Sequence, residues 1–227
     1  LQFDGESGNI SIDYSIDSQD AFSLTAWVNI NNLVINNVLI SQEDNWAWYV
    51  RNYGGIQLSL WGWDTPEGTE SYDNFQEGHW YHLAMSYNGN AVTHFINGSQ
   101  LGQPQAVSLP NASSTIEFGR WATDNETISA NFSDVTLWNR VINESEVQAT
   151  MDNEFSQNVE GLVGYWNFNE GEGTTLYDHS GNGNHGTING ATWSTDVPIV
   201  GCTDSYADNY DETANLDDGS CTYPDNG

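Results

Sequence analysis

Lysine is absent from this chain of 227 residues, and Arg51, Arg120 and Arg140 are its three arginines, set against 32 aspartates and glutamates. The resulting net charge of −29 repels phosphate backbones and anionic lipid surfaces, so nucleic acid is excluded as an expected partner. No run of about eighteen apolar residues is present, which excludes membrane insertion through a helix. Cysteine is as scarce: Cys202 and Cys221, both near the end, are the only two. With no histidine between them they cannot complete a zinc shell. Their even number, close spacing and acidic setting suggest a disulfide made in an oxidising compartment, so the expected location is secreted or at the cell surface. An initiating Met is missing too. The opening LQFDGESG lacks the basic and apolar regions of a leader and reads as the start of a mature or excised piece of a larger protein.

Aromatic residues are plentiful: 10 Trp, 11 Tyr and 8 Phe supply a core that a disordered acidic chain would lack. Their pattern has period two. Phe22, Leu24, Ala26, Val28 and Ile30 share one face of a strand, with Ser23, Thr25, Trp27 and Asn29 on the other. Ile56, Leu58 and Leu60 alternate with Gln57, Ser59, Trp61 and, past Gly62, Trp63. Asn88-Gly89 and Asn97-Gly98 mark hairpin turns on either side of Ala91–Ile96. Ile116–Arg120, Phe132–Trp138 and Leu162–Phe168 read as further strands. Asn143 and Glu146 predict a reciprocally capped short helix, a lid on one end of the strands. Many short strands between turn signals predict an all-β, two-sheet antiparallel sandwich. Gly201–Gly227 is too small for a core of its own. Residues 1–198 are therefore expected to form the sandwich, and 199–227 an Asp-rich, disulfide-closed spacer.

The motifs LQFDG, FSLTAWVNI, GHWYHLAMSYNGNAVTHFINGSQLG and FSDVTLWNRVINESEV occur in the order that resembles laminin G-like jelly-roll domains of the concanavalin A-like lectin/glucanase superfamily. The resemblance covers about residues 1–197. In that family a segment like Gly161–Trp193 often precedes the LQFDG-like strand, whereas here it follows, which implies a circularly permuted domain. The tail GCTDSYADNYDETANLDDGSC resembles a short Asp/Asn-rich module of secreted marine bacterial proteins.

The resemblance implies a structural Ca²⁺ at Asp178, Asn182 and Asn184, with Asp134 and Asp4 completing the shell. Ca²⁺ takes six to eight oxygens at about 2.3–2.6 Å, which a Gly-rich loop with carbonyl and carboxylate ligands can provide. The alternative is that Asn and Gly there only shape turns. In the tail, Asp211, Asn215, Asp217 and Asp218 are spaced either as a second calcium loop or as a solvated acidic turn.

Sugar recognition needs flat rings beside amides, carboxylates or guanidinium groups. Asn45, Trp46, Trp48, Arg51, Tyr53, Trp61, Trp63, Asp64 and Tyr72 cluster in sequence, and Trp61 and Trp63 fall opposite the apolar face of their strand, hence outside the core. Trp27, Trp80, Trp138 and Trp166 sit in family-like strands and are expected in the core. No carboxylate pair has the strand spacing of a retaining glycosidase. His79, His82 and His94 name no partner, and a structural histidine is the better reading of His82. The expected function is a non-catalytic, calcium-stabilised carbohydrate-binding module that meets a poly- or oligosaccharide and other extracellular domains. Protein–protein adhesion is the alternative, and a hydrolase or lyase with an unrecognised site is the third class.

Overall fold

The computed structural model describes residues 1–17, 20–34, 36–42, 45–52, 55–60, 69–71, 75–109, 115–121, 126–153, 155–156, 159–217 and 219–223, of which 57–60 and 69–71 by backbone alone. In chain order the strands are β1 (Gln2–Asp4), β2 (Asn9–Ile12), β3 (Phe22–Ile30), β4 (Asn36–Gln42), β5 (Trp46–Arg51), β6 (Gly55–Leu60) and β7 (Thr69–Ser71). Next come β8 (Trp80–Tyr87), β9 (Ala91–Ile96), β10 (Ser99–Ala106), β11 (Ile116–Phe118), β12 (Arg120–Trp121), β13 (Glu126–Thr127) and β14 (Ser129–Trp138). Helix α1 (Glu144–Met151) precedes β15 (Leu162–Trp166), β16 (Thr175–Leu176) and β17 (Gly186–Asn189), and the tail adds β18 (Val200–Gly201) and β19 (Leu216–Asp217).

Two large antiparallel sheets form a jelly-roll sandwich. The seven-stranded sheet runs β1-β14-β3-β8-β9-β10, with β15 also on β14, and the eight-stranded sheet runs β16-β17-β2-β11-β4-β5-β6-β7. β3, β5 and β8 are buried along their whole length, and alternate side chains face inward, where Phe22, Leu24, Val28, Leu83, Met85 and Phe132 meet Ile10, Ile40, Trp46, Trp48 and Phe118 in one core. Such packing is the main stabiliser, at roughly 25 cal/mol per Å² of apolar surface buried.

β1 and β15 lie one after the other along the same edge of β14. Gln2 stands opposite Asn131 and Val135 opposite Trp166, while β17 joins β2 in the other sheet. The first and last strands of the sandwich thus share both sheets. Gly164 in β15 leaves the room that the Trp166 ring fills, because a Cβ there would collide with it.

The outer face of the seven-stranded sheet is also covered. α1 begins with the expected capping box, in which Asn143 accepts from the Glu146 amide and Glu146 reaches back to the Asn143 amide. The helix lies over this face rather than closing one end of the sandwich, and Val147 packs with Ala84, Phe95, Trp138 and Tyr165 in a second cluster. Trp27 donates to the Met151 carbonyl at 3.3 Å. All four tryptophans expected inside are buried, yet of these Trp166 alone joins the core between the sheets; Trp138 packs under α1, and Trp27 and Trp80 lie beneath α1 and the C-terminal strap.

The tail carries the expected Cys202–Cys221 disulfide and the parallel pair β18–β19. It is stitched to the preceding strap through Asn215, whose side chain accepts from the Ile199 amide and donates to the Val197 carbonyl. Among the described residues no helix is long and apolar enough to cross a membrane.

Candidate functional site

The residues expected to stack on sugar do not form one surface. Trp46 and Trp48 are 0% exposed and belong to the central core, where Trp46 stacks on Phe22 at 5.1 Å. This corrects their expected ligand role. β5 is an inner strand of its sheet, and register sets Trp46 opposite Leu60, Trp48 opposite Leu58 and Val50 opposite Ile56. Asn45 is fully buried as well. Arg51 is nearly enclosed, with its guanidinium 4.9 Å from the centre of the Tyr49 ring, and Tyr49 packs on Trp121 beneath the β12–β13 hairpin. Desolvated and stacked in this way, Arg51 holds an outer cluster together and is not an open sugar contact. Tyr53, Trp61, Trp63, Asp64 and Tyr72 lie outside the described residues.

The loop expected to hold calcium is a hydrogen-bonded knot. Gly181 and Gly183 take positive φ, bending the chain so that Asp178 faces inward. Asp178 Oδ1 accepts from the Tyr165 amide at 3.0 Å and the Ser180 amide at 2.8 Å. Its Oδ2 accepts from the Ser180 hydroxyl and the Asn184 amide, both at 2.9 Å. Burial alone would raise this carboxyl, but those donors outweigh it and hold the pKa below its ordinary value. Asn182 turns its amide NH₂ to the Leu162 and Val163 carbonyls, and Asn184 turns its own to Val163. Trp166 Nε1 closes the knot by donating to the Asn184 carbonyl at 2.9 Å.

This donor set does not fit a cation, because N–H and O–H groups point where an ion would need oxygens. The other two expected ligands are engaged separately. Asp4 Oδ1 accepts from the Glu6 and Ser7 amides. Asp134, at a bulge in β14 with φ 47°, accepts from Tyr165 Oη at 2.9 Å and Ser133 Oγ at 2.6 Å. Burial raises the Asp134 carboxyl overall despite these bonds, and burial together with Asp134 raises the Tyr165 phenol. Among the described residues no group of three or more His, Cys, Asp or Glu could hold a metal ion. In the tail, Asp211 Oδ1 accepts from the Thr213 amide and hydroxyl, and Asn215 is spent on the strap. Asp218 lies outside the described residues.

Two described clefts gather side chains from distant segments. One, of ≈ 430 Å³, is lined by Tyr14, Asp17, Asp20 and Asn139 together with the apolar Ile16, Leu137 and Val163. Burial raises the Tyr14 phenol, so it stays protonated and able to donate. The other, of ≈ 310 Å³, lies between Trp27, Asn97, Met151 and Asp152 on the sandwich and Val200, Leu216 and Asp217 of the tail. Sequence reasoning missed both: Tyr14, Asp17 and Asp20 follow a short strand in an acidic loop, and only the fold brings Asn139 to them. The three histidines are structural or exposed. His82 is fully buried, edge-on to Trp27 at 5.2 Å, His94 is buried, and His79 is exposed with Nδ1 near the Glu77 carbonyl.

The architecture is that of concanavalin A-like β-sandwiches. The family model Laminin_G_3, described as the concanavalin A-like lectin/glucanases superfamily, matches residues 4–148, and the chain belongs to this family. Among solved structures it is similar to a Bacteroides ovatus protein provisionally described as carbohydrate binding, with 19% identity and a TM-score of 0.68, covering 87% of this chain and 60% of that one. It is similar also to the heptameric SAP-like pentraxin of Limulus polyphemus, with 17% identity, a TM-score of 0.52 and coverage of 70% and 82%. A Trypanosoma rangeli sialidase follows at 15% identity and TM-score 0.51, over 69% of this chain but 28% of that one. At these identities the likeness is one of fold, and this chain spans 60% of the length of the Bacteroides protein. No curated protein matches the sequence.

Proposed function

We propose that the chain is a non-catalytic carbohydrate-binding module of a secreted, multidomain protein. The observation that carries this reading is the ≈ 430 Å³ cleft, whose lining brings together a half-buried phenol, an amide and two exposed carboxylates. Hydroxyl groups of a saccharide pair with such donors and acceptors while a C–H face meets the Tyr14 ring. Family membership and the likeness to a protein described as carbohydrate binding support the class of ligand. The Tyr53, Trp61, Trp63, Asp64 and Tyr72 segment remains a second candidate contact on the same reading. The disulfide supports an oxidising compartment.

Non-catalysis is supported by the spacing of the acids, since no carboxylate pair in the sequence has the strand spacing of a retaining glycosidase. Adhesion to another protein is favoured by one observation, the exposed Tyr206, Tyr210 and Tyr223 on the tail, with Tyr206 87% exposed.

Affinity electrophoresis through a panel of neutral and acidic polysaccharides tests the proposal. At least one gel should retard the wild type, and Tyr14→Ala or Asn139→Ala should weaken that retardation up to about tenfold, the loss of one hydrogen bond. Trp61→Ala and Trp63→Ala report on the aromatic segment. No retardation in any gel favours adhesion, and release of reducing ends or unsaturated products from the panel defeats the non-catalytic claim.

A further inference from the structure

The ≈ 310 Å³ cleft between the sandwich and the tail combines an apolar lining with two exposed carboxylates. Trp27 of β3 and Met151 at the end of α1 line it from the sandwich, Val200 of β18 and Leu216 of β19 from the tail. The carboxylates are those of Asp152 and Asp217. Unlike Asp178, neither is filled by donors. Asp217 Oδ1 takes the Gly219 amide at 3.3 Å, and among the described residues the Asp152 carboxylate takes no hydrogen bond. The helix end adds to this. Asp152 stands at the C-terminus of α1, where the helix dipole is negative, and the last turn holds no basic residue. An acid in that place is disfavoured unless a cation joins it, and none of the three arginines lines the cleft.

We propose that this cleft receives a lysine side chain from a different protein. Its alkyl stem lies against Met151, Val200 and Leu216, and its ammonium meets the Asp152 and Asp217 carboxylates beside the helix end. A second copy of this chain cannot supply the group, because the chain has no lysine. The net charge of −29 steers a basic partner toward the molecule as a whole. At ≈ 310 Å³ the cleft is at the small end of ligand pockets and holds one side chain rather than a length of polysaccharide. Arginine fits less well. Its planar guanidinium gains most from an open aromatic face, and Trp27 is only 2% exposed, with its N–H already given to the Met151 carbonyl. The site is separate from the Tyr14 cleft and does not depend on the glycan reading.

The test is NMR titration of the intact chain with Nα-acetyl-lysine methylamide, set against the norleucine counterpart, which keeps the stem and lacks the charge. The lysine probe should shift the Trp27 indole N–H and the methyl groups of Met151, Val200 and Leu216, with Kd about 10⁻³ M for so small a ligand. The norleucine probe should leave them in place. So should glucosamine, an amine without an apolar stem. Asp152→Asn should weaken lysine binding about threefold or more. Its carboxylate holds no other group, so this variant keeps its fold even if Asp217→Asn, which gives up the Gly219 contact, loosens the tail. No shift with the lysine probe overturns the proposal. Equal shifts with norleucine or glucosamine overturn it too, as does lysine binding that Asp152→Asn leaves unchanged.

Discussion

His82 sits in a fully buried pocket edge-on to Trp27, with neither ring nitrogen hydrogen-bonded. Burial drives its pKa from the ordinary value down to about 3, so the folded ring stays neutral. The unfolded chain protonates this ring below about pH 6.5 and so binds the extra proton between there and about pH 3. Stability is therefore complete above that window and falls by at most about 1.4 kcal/mol per pH unit within it. His82→Phe keeps a ring against Trp27 and removes the proton site. Urea melts should show a shallower decline from pH 6.5 to 4 for the variant, and an equal slope would count against the assignment. Asp178 acts lower on the scale, since its folded pKa is depressed and its stabilisation is lost as pH falls below about 3.9. Asp178→Ala leaves the Tyr165, Ser180 and Asn184 amides without an acceptor and should cost at least about 3 kcal/mol, read as a lower urea midpoint. At this scale the sequence was legible for His82, whose neighbours Trp80 and Tyr81 mark a strand. It was misleading for Trp46 and Trp48: period-two alternation says which residues share a face, but not whether that face meets solvent.

Among the elements, α1 was legible to the residue because its capping box is a local signal carried by Asn143 and Glu146. Its placement was not, since Val147 finds Ala84 and Tyr165 only once β8 and β15 are paired. The tail shows the same division. Cys202 and Cys221 announced their bond, but nothing local announced that Asp196, just before the tail, accepts hydrogen bonds from three strands. Reduction releases a constraint worth about 3 kcal/mol on a loop of this length. Mild reductant should therefore expose 201–223 to limited proteolysis while the melting of the sandwich stays nearly unchanged. A Tm of the sandwich that falls with reduction would instead mean that the tail and sheet unfold together.

For the whole molecule, fold class and family were legible because alternating strands and turn signals run through most of the chain. The clefts were not, because each joins residues far apart in sequence. Charge acts at this scale as well. With a net charge of −29 the folded state repels itself, and salt shortens the reach of that repulsion from about 30 Å at 0.01 M to about 8 Å at 0.15 M. Thermal melts in NaCl should rise across that range, and a flat or falling Tm would show that local ion pairs such as Arg140–Glu146 outweigh the global term.

The joint at β1 has a consequence for how the chain is made. Gln2 is held by Asn131 on one side and by Thr192 on the other, and β2 waits for both β11 and β17. A ribosome that adds about 5–20 residues per second needs roughly 10–40 s to travel from Gln2 to Thr192. β1 gains its β14 partner only after residue 131 has emerged and its second neighbour only at Thr192, so the sandwich closes when nearly the last of its own sequence is made.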